Sequence, residues 1–407
     1  MKRLVLVLTV ALTVAAMVLA ARSQVISPGK DQSAEQQSKD KAVVEAGAAT
    51  GAGASCHPGD RDTAGSTAMT EATATEAPIP VAPSVDVGES VNAQGEHIKT
   101  VVFEKFLIDK IYPSMKGPSR QQTLRLLPLG QSRYAWITGY RAEVLDGRTG
   151  EASQEFMCHT NLTLTSAPGT LPQFQHDRAE LSISQGQKEV SFPKGLALRI
   201  QNDAQRQVNV MATVLNNNYP QIHRQLDFKS TIRYLDDKAA AAAQLSPLVQ
   251  TSVFTTCLTE AKEATPGEFV CEPASPPQLS RWLDGRQRTG HWMVPPGRQA
   301  TTQDVTKILN LNHDTTVHYI WMHVHPYAES LELRDATMGK LVWKGSAKNP
   351  DDPSVAQILS TDYYSDPRGI PLYKDHQYLF TTVYNNRSQQ PVDAMAALWM
   401  YVKDKTP

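Results

Sequence analysis

Two histidines separated by one residue, His323 and His325, are the side chains in this sequence best suited to chemistry. They lie in the run 316–326, TVHYIWMHVHP, whose many aromatic and β-branched residues predict a strand. Side chains alternate between the two faces of a strand, so both imidazoles are expected on one face, with Val324 on the other. Two imidazoles held side by side make half of a metal-binding site.

A methionine supplies a candidate third ligand. Met395 lies at the start of the apolar run 394–402, which predicts a buried strand. Two imidazoles and a thioether form a soft to borderline ligand set that favours copper, particularly Cu(I), over hard cations. Each motif also has an ordinary structural explanation, because histidine pairs arise by chance and methionine commonly fills cores. The copper hypothesis therefore depends on the three side chains converging.

Short β-type runs, separated by turn residues, recur in two blocks of the sequence. They predict an all-β protein with two tandem antiparallel jelly-roll or sandwich domains, at 97–240 and 241–407. The alanine-rich run 236–244 predicts a helix that links them. The predicted strands are 134–140, 141–145, 156–164, 195–201 and 208–215 in the first block, and 307–312, 317–325, 330–334, 341–344, 378–384 and 394–402 in the second.

The first 21 residues predict export. Lys2 and Arg3 precede the apolar run 4–21, which ends in small residues, a pattern typical of a signal peptide. The run is also just long enough to remain as a single membrane anchor. Either outcome places the rest of the chain in the periplasm or outside the cell. Residues 22–96 carry almost no aromatic side chains and predict a disordered linker.

Charge and cysteine content limit the partners and the compartment. The sequence has 40 Lys and Arg against 41 Asp and Glu, a formal net charge of −1, and no basic stripe that would bind nucleic acid. Membrane contact is expected only through an uncleaved N-terminal anchor. Cys257 and Cys271 flank a short loop and could close it as a disulfide. Cys158 could be a ligand, a disulfide partner or core filler, and Cys56 a free thiol or an intermolecular tether.

The order of motifs in the second block resembles the copper type II, ascorbate-dependent monooxygenases, the family of peptidylglycine α-hydroxylating monooxygenase and dopamine β-monooxygenase. The turn 294–297, VPPG, the His323-Val324-His325 motif and the segment 393–395, DAM, follow the family's order. The first block resembles the family's N-terminal half through 192–196 and 209–215. The similarity covers about residues 98 to 405. It implies tandem jelly rolls, with copper held by His323, His325 and Met395.

The resemblance also exposes two departures from the family pattern. The paired histidines of the family's second copper site fall on Cys158 and His159, and its third histidine is absent, so His159 is the remnant of that site. On a regular strand these adjacent residues would point to opposite faces. The arginine that binds a peptide carboxylate is replaced by Trp321, and Trp399 stands in the segment after the methionine. An aromatic rim lacks the carboxylate-binding fork of arginine, so Trp321 and Trp399 predict an apolar or aromatic substrate.

Three functions follow from these observations. The first is an exported copper monooxygenase that hydroxylates a small molecule, with ascorbate or another external reductant supplying electrons. The second is a non-enzymatic protein that binds copper and exchanges it with a donor or acceptor. The third is a structural or adhesive β-module, because a fold alone does not fix a function.

Overall fold

Strands dominate the computed structural model, which describes residues 84–147, 150–166, 178–274, 279–281 and 285–404. All of these residues belong to one unit, Pro78–Pro407. The predicted signal or anchor at 1–21, most of the predicted linker and Cys56 lie outside the described residues. No helix in the described part is long and apolar enough to cross a membrane.

The elements fall into two halves of the chain, which are named here the first and second sandwich. The first contains β1 (Val85–Val91), β2 (His97–Ile108), β3 (Ser119–Leu124), β4 (Tyr134–Asp146), β5 (Gly150–Glu151), β6 (Met157–Ser166), β7 (Arg178–Ser184), β8 (Glu189–Ser191), β9 (Leu196–Gln201), β10 (Arg206–Val214) and β11 (Arg224–Leu235). The second contains β12 (Ser246–Phe254), β13 (Cys257–Leu258), β14 (Ser280–Arg281), β15 (Gln287–Thr289), β16 (Trp292–Val294), β17 (Gly297–Asp304), β18 (Thr315–Val324), β19 (Ala328–Asp335), β20 (Lys340–Lys348), β21 (Ser360–Thr361), β22 (Tyr363–Leu372), β23 (Tyr378–Asn386), β24 (Val392–Ala394) and β25 (Ala396–Lys403). The described helices are short: α-helices at Asp237–Ala242 and Thr306–Leu309, and 3-10 turns at Gln154–Phe156 and Ala261–Glu263.

One long sheet runs through both halves in the order β1-β2-β11-β4-β9-β12-β25-β18-β22. Its two parts join where β12 pairs in parallel with β9. A second sheet, β3-β10-β6-β7, covers one part, and a third, β17-β23-β19-β20-β21, belongs to the other. The strands β16 and β24 form a separate two-stranded sheet.

The first core lies between the long sheet and the sheet that contains β6 and β10. Phe103, Val144 and Phe228 of the long sheet share one buried cluster with Leu162 and Val210 of the second sheet. None of these five side chains is exposed. Because alternate residues of a strand point to one face, the short periodic runs of the sequence suffice to build this core.

The strand β18 is buried on both faces. Ile320, Met322 and Val324 pack into the second core. Tyr319 and Trp321, which alternate with them, pack into the first. A strand covered on both faces has no solvent-facing positions to fill with polar residues, which accounts for the continuous apolar character around the histidines.

The all-β prediction is confirmed. The predicted helix is also present, because the Asp236 side chain accepts a hydrogen bond from the backbone N–H of Ala239 at 2.7 Å and caps the helix Asp237–Ala242. The predicted domain boundary at residues 240 and 241 falls inside this helix and stays a prediction.

The strand predicted at 307–312 is wrong. A short helix, Thr306–Leu309, occupies its place. The Asp304 carboxylate accepts a hydrogen bond from the backbone N–H of Thr306 at 2.9 Å, and Asn310 ends the helix in the left-handed region at φ 44°. These local contacts outweigh the β-type composition of the run.

The predicted linker at 22–96 needs a correction at its end. Val85–Val91 forms an edge strand that pairs with β2 residue by residue. All seven of its residues are exposed, so it is held by backbone hydrogen bonds rather than by burial. The polar composition of 22–96 therefore did not reveal that Val85–Val91 is an ordered strand.

The predicted disulfide between Cys257 and Cys271 is confirmed, with an S–S distance of 1.94 Å. It ties β13 to a loop 14 residues further along the chain. Cys158 is the free cysteine of the described part, and it is buried.

Candidate metal centre

His323 lies where the two sandwiches meet. It pairs with Ala397 across β18 and β25, and it follows Tyr319 and Trp321 on the strand face that is directed at the first sandwich. Neighbouring side chains enclose the imidazole, but part of its surface stays open toward a cavity. The ring centroids of His323 and His325 are 5.7 Å apart.

His325 is fixed by groups from both halves of the protein. Its Nδ1 lies 3.2 Å from Oδ2 of Asp393. Its other ring nitrogen, Nε2, lies 3.3 Å from Oγ of Ser114. Its backbone N–H donates a hydrogen bond to the Tyr384 hydroxyl at 3.1 Å. Each ring nitrogen of His325 therefore faces a different group.

A third histidine, His291, completes a cluster with His325 and Asp393. Its Nδ1 lies 3.4 Å from Oδ1 of Asp393, and the candidate ligand atoms of the three residues lie within 4.8 Å of one another. Two ligands bound at about 2.1 Å with tetrahedral angles would be about 3.4 Å apart. The observed spacing is therefore compatible with a common metal ion.

Pairing of two short strands brings His291 and Asp393 together. His291 immediately precedes β16, whose Met293 pairs with Asp393 on β24. The hydroxyl of Thr289 accepts a hydrogen bond from the backbone N–H of His291 at 3.1 Å, and the rings of His291 and His325 are 5.2 Å apart. The sequence interpretation missed His291, since nothing local identifies a lone histidine as the neighbour of a residue 102 positions away.

Electrostatics keep the Asp393 carboxylate ionised and the His323 imidazole neutral. Burial alone would raise the pKa of Asp393, but the charge of His325 and hydrogen bonds from His291 and His325 hold that pKa well below its usual range. Burial, and then the neighbouring His325, His159 and His291, hold the pKa of His323 well below its ordinary value. A neutral imidazole offers a lone pair to a metal ion.

Met395 lies next to His325 through its backbone, because the Tyr384 hydroxyl contacts the backbones of both residues. It lies at the break between β24 and β25, where its backbone carbonyl accepts a hydrogen bond from the Tyr384 hydroxyl at 2.6 Å. Asp393, two residues earlier, supplies a carboxylate oxygen 3.2 Å from Nδ1 of His325. This carboxylate belongs to the cluster, and a sulfur ligand from Met395 stays a prediction.

Trp321 and Trp399 lie away from the open side of the cluster. Their rings stack with centroids 5.6 Å apart, and both contact the first core. Trp321 is fully buried. Neither residue lines the cavity beside the histidines, so a role for them in substrate binding stays a prediction.

A cavity of about 270 Å³ opens beside His323 and His325, between the two sandwiches. Ser114, Cys158 and Ser184 contribute to its wall from the first sandwich, and Tyr327 from the second. Its remaining wall is apolar through Pro113, Leu215, Val324, Pro326, Ala356 and Val392, and polar through Gln185, Asn217 and Asp393.

His159, the remnant of the predicted second copper site, lies near this same cluster. Burial, and then the neighbouring His325, lower the pKa of His159 to about 4. The two halves are therefore close enough for His325 to lower the pKa of His159 and for His159 to lower the pKa of His323. In the described part of the chain, His291, His325 and Asp393 form the cluster of three whose ligand atoms are close enough to share an ion.

No protein-family model matches this chain, and no curated protein matches it. Among solved structures, it is similar to the glycosylasparaginase PNGase F of Flavobacterium meningosepticum, at 10% identity and a TM-score of 0.30, over 76% of this chain and 97% of the other. It is also similar to a Paenibacillus xanthan lyase, at 10% identity and TM-score 0.19, over 80% of this chain and 25% of that one. A tandem CBM22 domain of Paenibacillus barcinonensis Xyn10C matches at 9% identity and TM-score 0.19, over 80% and 92%. Likenesses this weak carry no inference about function.

Proposed function

We propose that this chain is an exported protein that binds a transition-metal ion, most tightly Cu(II), at His291, His325 and Asp393. The observation that carries this proposal is the Asp393 carboxylate, which lies 3.2 Å from Nδ1 of His325 and 3.4 Å from Nδ1 of His291. His323 lies beside the cluster as a fourth candidate ligand.

The donor set fits such an ion. Imidazole nitrogen suits zinc, copper, iron and nickel, whereas Mg²⁺ and Ca²⁺ prefer ligand sets made only of oxygen. Among divalent ions of the first transition row, Cu(II) binds a given nitrogen and oxygen site most tightly. His291 and His325 are 9% and 7% exposed, so bulk water has little access to the ligands.

Copper titration of single variants tests this proposal. We expect wild-type protein to bind one equivalent of Cu(II) at the cluster and His325→Ala to lose that binding. His223→Ala removes an exposed histidine elsewhere and serves as the matched control. If His325→Ala binds Cu(II) as tightly as wild type and the control, the proposal is wrong.

Oxidation of a small molecule is the catalytic role we propose for this site. The cavity beside His323 and His325 supports it, because its mostly apolar wall would exclude water and accept an apolar or aromatic substrate. Bound copper would supply redox chemistry with oxygen and an external reductant such as ascorbate. His291, His325 and Asp393 would hold the ion at the cavity wall. The test is substrate-dependent oxygen consumption by copper-loaded protein across peptides, phenols and fatty compounds.

Copper handling without catalysis is the second candidate. It is favoured by the loss of the family's second copper site, since His159 is the one remaining histidine of that site and lies near His325. Copper-loaded protein that consumes no oxygen with any substrate, but transfers copper to a chelating acceptor, would support this role over the enzymatic one.

A further inference from the structure

Ser114, His325 and Asp393 form a line of polar contacts across the boundary between the two sandwiches. Oγ of Ser114 lies 3.3 Å from Nε2 of His325. On the other side of the imidazole ring, Nδ1 lies 3.2 Å from Oδ2 of Asp393. A hydroxyl, an imidazole and a carboxylate in this order are the nucleophile, the base and the orienting group of serine hydrolases. Such a triad is recognised by its geometry, and the residues around Ser114 carry no G-x-S-x-G motif.

The groups around His325 assign its ring hydrogen to Nδ1. That nitrogen faces Oδ2 of Asp393 and also lies 3.3 Å from the backbone carbonyl oxygen of Asp393. A carbonyl oxygen can only accept a hydrogen bond, so Nδ1 is the donor. Nε2 keeps its lone pair, and the Ser114 hydroxyl can donate to it. Contacts between a nucleophile and its base are often this long without substrate and shorten when substrate binds.

A tight turn holds Ser114 beside the imidazole. The backbone N–H of Lys116 donates to the carbonyl of Pro113 at 3.0 Å, and Met115 lies in the left-handed region at φ 63°. Residues other than glycine rarely adopt this conformation, and strained backbone of this kind is common at active sites. Sγ of Cys158, at a bulge of β6, lies 3.8 Å from Oγ of Ser114. The hydroxyl is therefore positioned between a thiol and the imidazole.

The cavity beside Ser114 and His325 offers space for an acyl group and a donor for its carbonyl oxygen. Ser184 lines the same cavity and is 2% exposed, and its hydroxyl has no hydrogen-bond partner among the described residues. Buried hydroxyls nearly always have a partner, so an orphaned one in a cavity wall indicates a ligand. The volume of about 270 Å³ is below the roughly 300–1,000 Å³ of pockets for drug-sized ligands, so a short acyl chain fits.

We propose that the metal-free protein hydrolyses esters of short-chain carboxylic acids at Ser114, an activity beyond the metal binding proposed above. Oγ of Ser114 attacks the ester carbonyl carbon while Nε2 of His325 takes the hydroxyl proton. The C–O bond of the ester breaks, the leaving alcohol takes that proton, and the acyl group stays on Ser114. Water then attacks the acyl-serine with the same base and releases the carboxylic acid. Asp393 is a positioning residue, and the Ser184 hydroxyl donates to the carbonyl oxygen as its negative charge develops.

Ester hydrolysis and metal binding compete for the same groups. An ion bound to Nδ1 of His325 leaves the ring hydrogen on Nε2, which then cannot accept the proton of Ser114. The same ion takes the carboxylate of Asp393 away from the ring. Bound Cu(II) should therefore inhibit the hydrolysis, and EDTA should restore it.

Hydrolysis of p-nitrophenyl butyrate by the EDTA-treated full chain tests the triad. We expect Ser114→Ala to lower kcat/KM at least about 100-fold. Ser90→Ala, which removes an exposed hydroxyl on β1, is the matched control and should match wild type. Asp393→Asn should lower kcat at least about tenfold and leave KM within about twofold, because the carboxylate orients the base and does not touch the ester.

A fluorophosphonate probe gives a second measurement, which needs no variant. It should label Ser114 of EDTA-treated wild type, detected as a mass increase of the tryptic peptide 111–116. Absence of that label overturns the proposal, and so does a folded Ser114→Ala protein that hydrolyses the ester as fast as wild type. Hydrolysis that depends on Ser114 but is unaffected by Cu(II) supports the triad and instead contradicts an ion at Nδ1 of His325.

Discussion

Asp393 Oδ2 lies 3.2 Å from His325 Nδ1, although the two residues are 68 positions apart in the sequence. This contact determines the character of the candidate site. It brings a carboxylate to one ring nitrogen of His325, and it leaves the second nitrogen directed at the other half of the protein.

Asp393 and Met395 are the two competing candidates for the third ligand, and paired variants separate them. Asp393→Asn keeps the shape of the side chain but removes its charge, so we expect the Kd for Cu(II) to rise at least about tenfold. Met395→Leu removes the sulfur at similar volume and should leave the Kd unchanged. Isothermal titration with Cu(II) measures both. If Met395→Leu raises the Kd and Asp393→Asn does not, the third ligand is Met395 and not Asp393.

Copper should stabilise the folded protein. An ion that binds only the native state adds about 2.7 kcal/mol to the free energy of unfolding when its concentration is 100 times the Kd. We expect Cu(II) to raise the thermal unfolding midpoint and EDTA to reverse the change. The His291→Ala protein should show a much smaller increase, and an equal increase would place the ion elsewhere.

His159 should make the folded state sensitive to mild acid. Its pKa is about 4 in the folded protein and about 6.5 in an unfolded chain, so the unfolded state binds more protons between these values. The free energy of unfolding should therefore fall as pH drops from 6.5 to 4, by up to about 3 kcal/mol. Guanidinium denaturation of metal-free protein at pH 7 and pH 4.5 measures the loss. His159→Gln, which cannot titrate, should lose less.

Trp321 should act as a core residue. It is fully buried and stacked on Trp399, so Trp321→Ala should lower the free energy of unfolding by about 3–5 kcal/mol. Trp321→Phe fills more of the space and should cost less. Denaturant unfolding measures these free energies. The Cu(II) affinity of both variants, measured at 10 °C, should match that of the wild-type protein. A variant with normal stability but altered ligand binding would instead support the predicted substrate-binding role.

The disulfide between Cys257 and Cys271 closes a short loop and should contribute measurable stability. For a loop of about 15 residues, the chain-entropy model gives about 3 kcal/mol. The double variant Cys257→Ser/Cys271→Ser should lose that amount in denaturant unfolding. Mild reductant should destabilise wild type but leave the double variant unchanged, which identifies the bond as the cause.

Local sequence patterns predicted most strands and part of the site. The remaining site residues are brought together by strand pairing between distant parts of the chain. His323 and His325 lie on a predicted strand because β-branched and aromatic residues surround them, and the cysteine spacing predicted the disulfide. His291 and Asp393 meet only because β16 pairs with β24, a contact that leaves no periodic signal near either residue. The direction of Cys158 depends on a bulge that no alternation rule foresees.

The position of β25 in the long sheet would affect when the proposed metal ion can bind. β25 lies between β12 and β18, so β18 has no neighbour on that side until residues 396–403 have been made. During synthesis His325 emerges well before Asp393, and an early ion would meet an exposed histidine pair without its carboxylate. An ion bound with the full ligand set would therefore be captured only after this segment has been made. Under the proposed export, the metal ions available where the protein folds would determine which ion it binds.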